Sequence, residues 1–420
     1  MNIEIHRGLD QIGGCITEIS TDTSRIFIDF GQNLPGNGEK TTPEQDRDMV
    51  NNIFSANKKE HEAVIYTHAH EDHVGLFDYI PEGVPQYIGE GGKLILIAKY
   101  DLIRESHKLN LNVSKRLNHQ DAVERIEAII GTDNEKINKL KSFRTWERTK
   151  PRKEPESFSV GDIRITPFFN CHSIYDSYMF LIEADGKRIW HTGDYREHGY
   201  LGKGLFPTLR RYATDIDVLI TEGTTLKRGD ECIHESEVSR KMASVMDAFK
   251  YVVVLASSTD IERLASIKEA AKKAHKPLYI CGGNMRRTMN LFTKREAVAS
   301  KGLFDFHPRY VTYDDPKIPL MQKNGFVLVA GTSQIGFVKE LCEDLNQEEV
   351  LCIYSSWDGY YKIPEQVEVN PMYKEFRDSF HNVVDIHTSG HASRETIRKV
   401  IETVKPKEVI CIHKEPDAQL

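Results

Sequence analysis

Cysteine is scarce and unorganised in this 420-residue chain: there are seven, at 15, 171, 232, 281, 342, 352 and 411, an odd number with no Cys-x-x-Cys pair. Neither a disulfide framework nor a thiolate metal site is therefore indicated. Long apolar sequence is missing too. No uninterrupted run of 18 apolar residues would cross a bilayer, and the start Met1-Asn2-Ile3-Glu4-Ile5-His6 has no basic-then-apolar leader, so a cytoplasmic protein without membrane contact is expected. Positive charge is not in excess: 56 Lys and Arg face 63 Asp and Glu, for a formal net charge of −7. That argues against coating nucleic acid over the whole surface and leaves only a local groove. What remains, 39% hydrophobic and 28% charged, is a globular balance at a length that buries one large or two ordinary cores.

Histidine stands out against this background. His68, Ala69, His70, Glu71, Asp72 and His73 crowd three imidazoles and two carboxylates together directly after the apolar run Ala63-Val64-Ile65-Tyr66. A solvated loop would gain nothing from histidines that repel one another on protonation. Nitrogen and oxygen donors without thiolate suit Zn²⁺ or Mn²⁺ better than an iron–sulfur cluster or Ca²⁺, and the donors suffice for more than one ion. Two later residues also follow strand-like segments: His172 in Asn170-Cys171-His172-Ser173, and Asp194 in Thr192-Gly193-Asp194. Alone they would read as a loop histidine and a turn carboxylate; the earlier cluster makes both candidate ligands.

The order of a histidine–aspartate cluster, a lone histidine and a later aspartate resembles the metallo-β-lactamase superfamily. Leu219-Ile220-Thr221-Glu222-Gly223, Thr388-Ser389-Gly390-His391-Ala392-Ser393 and Val409-Ile410-Cys411-Ile412-His413-Lys414-Glu415 are similar to three further motifs of the β-CASP nucleases. His172-Ser173-Ile174-Tyr175-Asp176-Ser177 and Gly331-Thr332-Ser333-Gln334 resemble segments of the ribonuclease J group, and the likeness runs from about Ile3 to about Glu415. It implies an α/β fold, a metallo-β-lactamase αββα sandwich with an inserted parallel-sheet α/β (β-CASP) domain. It also implies two divalent ions, Zn²⁺ first and Mn²⁺ as the alternative. His68, His70 and His172 would hold one ion and Asp72, His73 and His413 the other, with Asp194 bridging and Asp29 bracing the metal loop from behind.

Asp72, Asp194, Glu222 and His391 are the catalytic candidates on that resemblance. His391 would donate to a phosphate or leaving oxygen while Glu222 holds it; the plainer alternatives are a helix-capping histidine and a glutamate binding backbone amides. His413 at the last motif favours RNA over DNA. His387, Ser389 and Ser393 fall where ribonuclease J members bind a 5′ monophosphate, although serines at a helix start also cap helices. The implied activity is hydrolysis of phosphodiester bonds in single-stranded RNA, 5′-to-3′, internal or both. A thioesterase or lactonase of the same superfamily, a DNA nuclease and a non-catalytic RNA-binding subunit are the other classes weighed. The last motif departs from the usual His-Gly-Glu, and the chain ends at Leu420 where ribonuclease J continues, so association through a further domain is not expected; homo-oligomerisation by other surfaces stays open.

Residues 1–227 are expected to form the first part of the metallo-β-lactamase domain, with a helical insertion near 99–155, a lid, subunit contact or RNA-facing flap. The β-CASP domain is expected over 228–371 and the returning part over 372–420, with Val383 to His391 and Lys407 to His413 bringing strands back to the first domain. Within the insert, helices around 236–250 and from an Asp260 cap to 275 alternate with strands at Tyr251–Leu255, 277–280, Phe326–Ala330 and Val350–Tyr354. The basic runs at 144–153 and 285–295 read as solvated helix faces before nucleic-acid contacts. The aromatic run Tyr354 to Tyr361 reads equally as packing or as a surface for bases.

Overall fold

In the computed structural model, residues 1–34, 40–117, 119–148, 153–228 and 232–420 are described. Part of the basic run at 144–153 lies outside them. Three six-stranded sheets organise the chain. The first runs Asn2–Arg7, Ile16–Ser20, Ser24–Ile28, His61–Ile65, Gln86–Gly89, Arg144–Trp146, and the second Glu408–Ile412, Val218–Glu222, Lys187–His191, Ser177–Ala184, Ile163–Asn170, Phe158–Val160. These two lie face to face. Period-two alternation explains how: in Ser177–Ala184, Tyr178, Phe180 and Ile182 enter the core between the sheets beside Ile26, Ile28 and Ile65, while Met179 and Leu181 point the other way.

Helices cover both outer faces and complete the αββα sandwich. Leu205–Tyr212 and Arg394–Val404 place Leu209, Ile397 and Val400 against Met179, Leu181 and Trp190. Pro43–Ser55, Glu90–Arg116 and Gln120–Ser142 place Val50, Ile95 and Leu140 against Phe27, Val64 and Ile88. The stretch expected near 99–155 as a helical insertion holds most of a helical hairpin, Glu90–Arg116 and Gln120–Ser142; at its start the Asp176 carboxylate accepts from the Gly91 and Gly92 amides at 2.7 and 3.2 Å. Its first helix reaches the third sheet's layer, where Arg295 pairs with Glu90 at 2.8 Å.

The third sheet is wholly parallel, in the order Arg309–Tyr310, Leu278–Ile280, Phe326–Ala330, Tyr251–Leu255, Val350–Tyr354, Asn382–Asp385. Both faces are buried, Val252 and Val254 on one side, Val253 and Leu255 on the other, which is why its strands read as continuous apolar runs. One expectation needs correcting. Asn382–Asp385 does not return to the first domain but extends this sheet beside Val350–Tyr354, an edge that its Val383 and Val384 partly cover. Return to the sandwich comes only with the segment after it and with Glu408–Ile412, parallel to Val218–Glu222.

His61–Ile65, Lys187–His191, Val218–Glu222 and Glu408–Ile412 all end toward one rim, so the loops that follow them converge. Among the described residues no helix is long and apolar enough to cross a membrane. Because Phe180 is fully buried between the sheets, Phe180→Ala should lower unfolding stability by about 3–5 kcal/mol. Val298→Ala, at a residue 95% exposed, should change it by less than about 0.5 kcal/mol. Chemical denaturation of both variants checks this.

Candidate metal centre

The loop after His61–Ile65 is held from behind. Asp29, at a φ of 65°, turns its carboxylate under the loop and accepts from the Thr67 amide at 2.7 Å, the Thr67 hydroxyl at 2.8 Å and His73 Nδ1 at 2.7 Å. The short helix Glu71–Val74 that carries Asp72 and His73 passes so close to Gly31 that a Cβ there would fall 1.7 Å from the Asp72 carbonyl oxygen. Only glycine allows that approach.

Of the ligand candidates, His68, His73, His172 and His413 have Nδ1 engaged by a neighbouring group. His172 Nδ1–H donates to the Gly390 carbonyl at 2.7 Å, leaving Nε2 free to face His70 Nδ1 at 3.2 Å; His68 Nε2 faces the same atom at 3.0 Å. Thr224 donates to Glu222 Oε2 at 2.6 Å and therefore accepts from His413 Nδ1 at 2.7 Å, which turns His413 Nε2 toward Asp72 Oδ2 at 3.1 Å. Asp194 Oδ2 is central: it lies 3.1 Å from His73 Nε2, 3.7 Å from His413 Nε2 and 3.8 Å from His172 Nε2. All seven ligand candidates come together.

Burial, with the facing imidazoles, holds His68 and His172 well below the ordinary histidine value, and burial takes His70 down to about 4. At neutral pH three uncharged nitrogens thus aim lone pairs at one point. Burial works against ionising Asp72 and Asp194, but His73 and His413 outweigh it and hold both carboxylates below their usual range. His73 Nε2 is buried and, although near Asp194, makes no hydrogen bond of acceptable geometry. Converging lone pairs and an orphaned buried nitrogen are costly unless a cation accepts them. The donor set fits divalent transition-metal ions. Cys15 also comes within reach of His73 and His413; burial raises its thiol well above the ordinary value, which makes it a poor ligand.

Beside these ligands stands a second pair. Glu222 Oε2 lies 2.8 Å from His391 Nδ1, while Oε1 accepts from the Tyr195 and Ala392 amides at 2.9 and 3.3 Å, so the glutamate both holds the histidine and binds backbone. Burial pulls His391 toward neutrality, yet Glu222 and then Asp194 outweigh it and raise the imidazole above its usual value. Its side chain is 22% exposed, against 3% or less for His172, Asp194 and His413.

The three phosphate-site candidates separate. Ser393 does not reach the cleft: it is the N-cap of Arg394–Val404, accepting from the Thr396 amide at 3.1 Å. His387 and Ser389 do line the cleft, a space of about 820 Å³ shared with His70, Asp72, Asp194 and His391. His387 Nδ1 accepts from Arg263 at 2.9 Å and is pushed down to about 3 by burial and that arginine. Sequence reasoning missed Thr67, Thr224, Arg196 and Arg263. Thr224 follows Glu222 by two and carried a signal; for the arginines there was none, since their partners lie 28 to 193 positions away.

A family model described as the Zn-dependent metallo-hydrolase RNA specificity domain matches residues 381–420. Ribonuclease J from Helicobacter pylori is 22% identical over 97% of this chain and 55% of its own length, and an RNase J-like protein from Methanocaldococcus jannaschii is 24% identical over 85% of this chain and 71% of its own. Over most of its length the chain is similar to ribonuclease J and RNase J-like proteins, and its last 40 residues match the RNA specificity domain. The chain spans about half the length of the Helicobacter relatives. A crystal structure of a protein of unknown function from Enterococcus faecalis shares the fold at a TM-score of 0.68, with 18% identity over 100% of this chain and 95% of that one.

In this site one hydroxyl, that of Thr224, serves both Glu222 and His413. Thr224→Val should lower metal affinity by about 10- to 100-fold, the usual cost of losing a group that orients a ligand. Competition against a fluorescent chelator reads this. Unchanged affinity would mean that His413 is held by packing alone.

Proposed function

We propose that this chain is a metal-dependent ribonuclease that hydrolyses phosphodiester bonds of single-stranded RNA, as a 5′-to-3′ exonuclease, an endonuclease or both. The observation that carries the reading is the Glu222–His391 pair at 2.8 Å, set beside the ligand candidates yet outside them, on the rim of a cleft large enough for a nucleotide chain. A small-molecule hydrolase needs no such pair. In this reading His68, His70 and His172 hold one divalent ion, Asp72, His73 and His413 a second, and Asp194 serves both, with Zn²⁺ preferred and Mn²⁺ the alternative. When bound, the ions would supply an activated water at neutral pH and offset charge on the phosphate.

The chain's own residues do the rest. Glu222 occupies His391 Nδ1 and favours the imidazolium, so the proton on Nε2 is available to the leaving oxygen or a phosphate oxygen as the bond breaks. Asp29, Thr67 and Thr224 keep the ligand imidazoles in the tautomers the ions require. His387 and Ser389 are the proposed contacts for a 5′ phosphate. A cytoplasmic location accords with seven scattered cysteines and no Cys-x-x-Cys.

The first test is turnover of a 5′-labelled RNA, with a monophosphate or a triphosphate end, beside DNA of the same sequence and a lactone panel. RNA should be cut at least as well as DNA, and lactones poorly. Fast lactone hydrolysis with inert RNA would move the protein to the small-molecule class.

A second test separates proton transfer from metal binding. His391→Ala should retain its metal while single-turnover cleavage falls by roughly 10²- to 10⁴-fold, and Glu222→Gln should cost less. His413→Ala should lose metal and recover partly in excess Mn²⁺. Wild-type rate in His391→Ala at full metal content would refute the assignment.

A further inference from the structure

The cleft has a wall that the metal chemistry does not use. Trp357, Tyr360 and Tyr373 line it together with the ligand candidates, on the segment following Val350–Tyr354. Tyr360 and Tyr373 stack, with centroids 4.2 Å apart and planes at 17°, and Trp357 meets Tyr360 edge-on at 5.3 Å. The Arg228 guanidinium lies over the Trp357 ring at 4.6 Å and is tethered to Glu415 at 3.7 Å. Both ends of this assembly are anchored to the centre: Arg228 ends the turn that begins with Glu222 and Thr224, and Glu415 follows His413 by two residues. Trp357 is seated tightly as well, since a Cβ on Gly359 would come within 2.3 Å of its ring.

Tyr373 rests on one side against the apolar cluster of the third sheet, but Trp357 and Tyr360 belong to none of the core clusters. All three are half-buried, and neither the Trp357 indole N–H nor the Tyr360 and Tyr373 hydroxyls make a hydrogen bond to another described residue. The Tyr354 hydroxyl just behind them, by contrast, donates to the Trp357 carbonyl at 3.1 Å. A rigid aromatic surface with unmatched donors, beside a phosphodiester-cleaving centre, suits a flat heteroaromatic ring carrying acceptors.

We propose that Arg228, Trp357 and the Tyr360–Tyr373 pair form a stacking platform for an unpaired nucleobase adjoining the scissile phosphate. The proposal rests on the ribonuclease reading above and extends it to specificity. Every base has a π face, so the platform tolerates any sequence. Bases inside a duplex have both faces covered by neighbours, and so the platform discriminates against paired RNA.

The test is an abasic scan. A short single-stranded RNA with one mapped cleavage site is prepared with a single abasic nucleotide at each of the three positions on either side of the cut. KM is measured for each, and Kd for phosphorothioate versions that resist cleavage, on the metal-loaded protein. At one position adjoining the cut, base removal should raise KM and Kd by about 10- to 100-fold, with kcat changed far less. Trp357→Leu should raise both by a similar factor on intact RNA, at unaltered metal content, and lose its sensitivity to the abasic site; Trp357→Phe should keep most of it. Should Trp357→Leu fold poorly, Tyr373→Leu and the wild-type scan still decide. Wild-type protein that cleaves RNA but tolerates base loss at all six positions overturns the platform alone, as does a Trp357→Leu protein as sensitive as wild type. Wild-type protein that neither binds nor cleaves RNA overturns the ribonuclease reading and the platform with it.

Discussion

Everything around the centre answers to one electrostatic problem: neutral imidazole nitrogens and buried carboxylates that converge on a common space. His68 Nε2 and His172 Nε2 lie 3.0 and 3.2 Å from His70 Nδ1, and Asp72 and Asp194 bring negative charge into a site where neither is more than 11% exposed. Such an arrangement is tolerable only if cations neutralise it and if the surrounding protein is too stiff to let it spread. The stiffness is visible in the Asp29–Thr67–His73 cluster, in the Thr224 hydroxyl shared by Glu222 and His413, and in the backbone of Gly31 pressed against Asp72. Rigid strand ends from two sheets supply the frame.

Buried charge also ties the sandwich to the third-sheet layer. Arg196 follows Asp194 by two residues and pairs with Glu235, Asp260 and Glu262 at 3.3, 3.1 and 3.0 Å. Arg263 pairs with Glu235 at 2.9 Å and donates to the Thr388 carbonyl at 3.1 Å. Arg196 also reaches the Ser389 carbonyl. The segment carrying His387, Ser389 and His391 is therefore clamped by one arginine from each domain. Removing one partner from such a network leaves uncompensated buried charge, so the relative placement of the two domains is coupled to the position of His391.

Much of this was legible in the chain. The histidine cluster, the two later ligand candidates and the alternation of Tyr251–Leu255 and its neighbours with helices depend on local chemistry, and Asp260 caps its helix as read, accepting from the Glu262 and Arg263 amides. What escaped depends on partners remote in sequence. Nothing near Asn382–Asp385 says which sheet edge it will cover, and Ser393 reads the same whether it caps a helix or faces a phosphate. The contact that seats the start of the helical hairpin was not legible either: Asp176, whose carboxylate accepts from the Gly91 and Gly92 amides, lies 85 and 84 residues on. Thr224 and His413 meet across 189 residues.

Anomalous diffraction from crystals of the Zn²⁺-loaded protein, recorded on both sides of the zinc edge, tests the central claim most directly. The expected result is two zinc peaks, one among His68, His70 and His172 and the other among Asp72, His73 and His413, with the Asp194 carboxylate between them. A single peak, or zinc bound elsewhere with these side chains unmoved and unligated, would contradict the account.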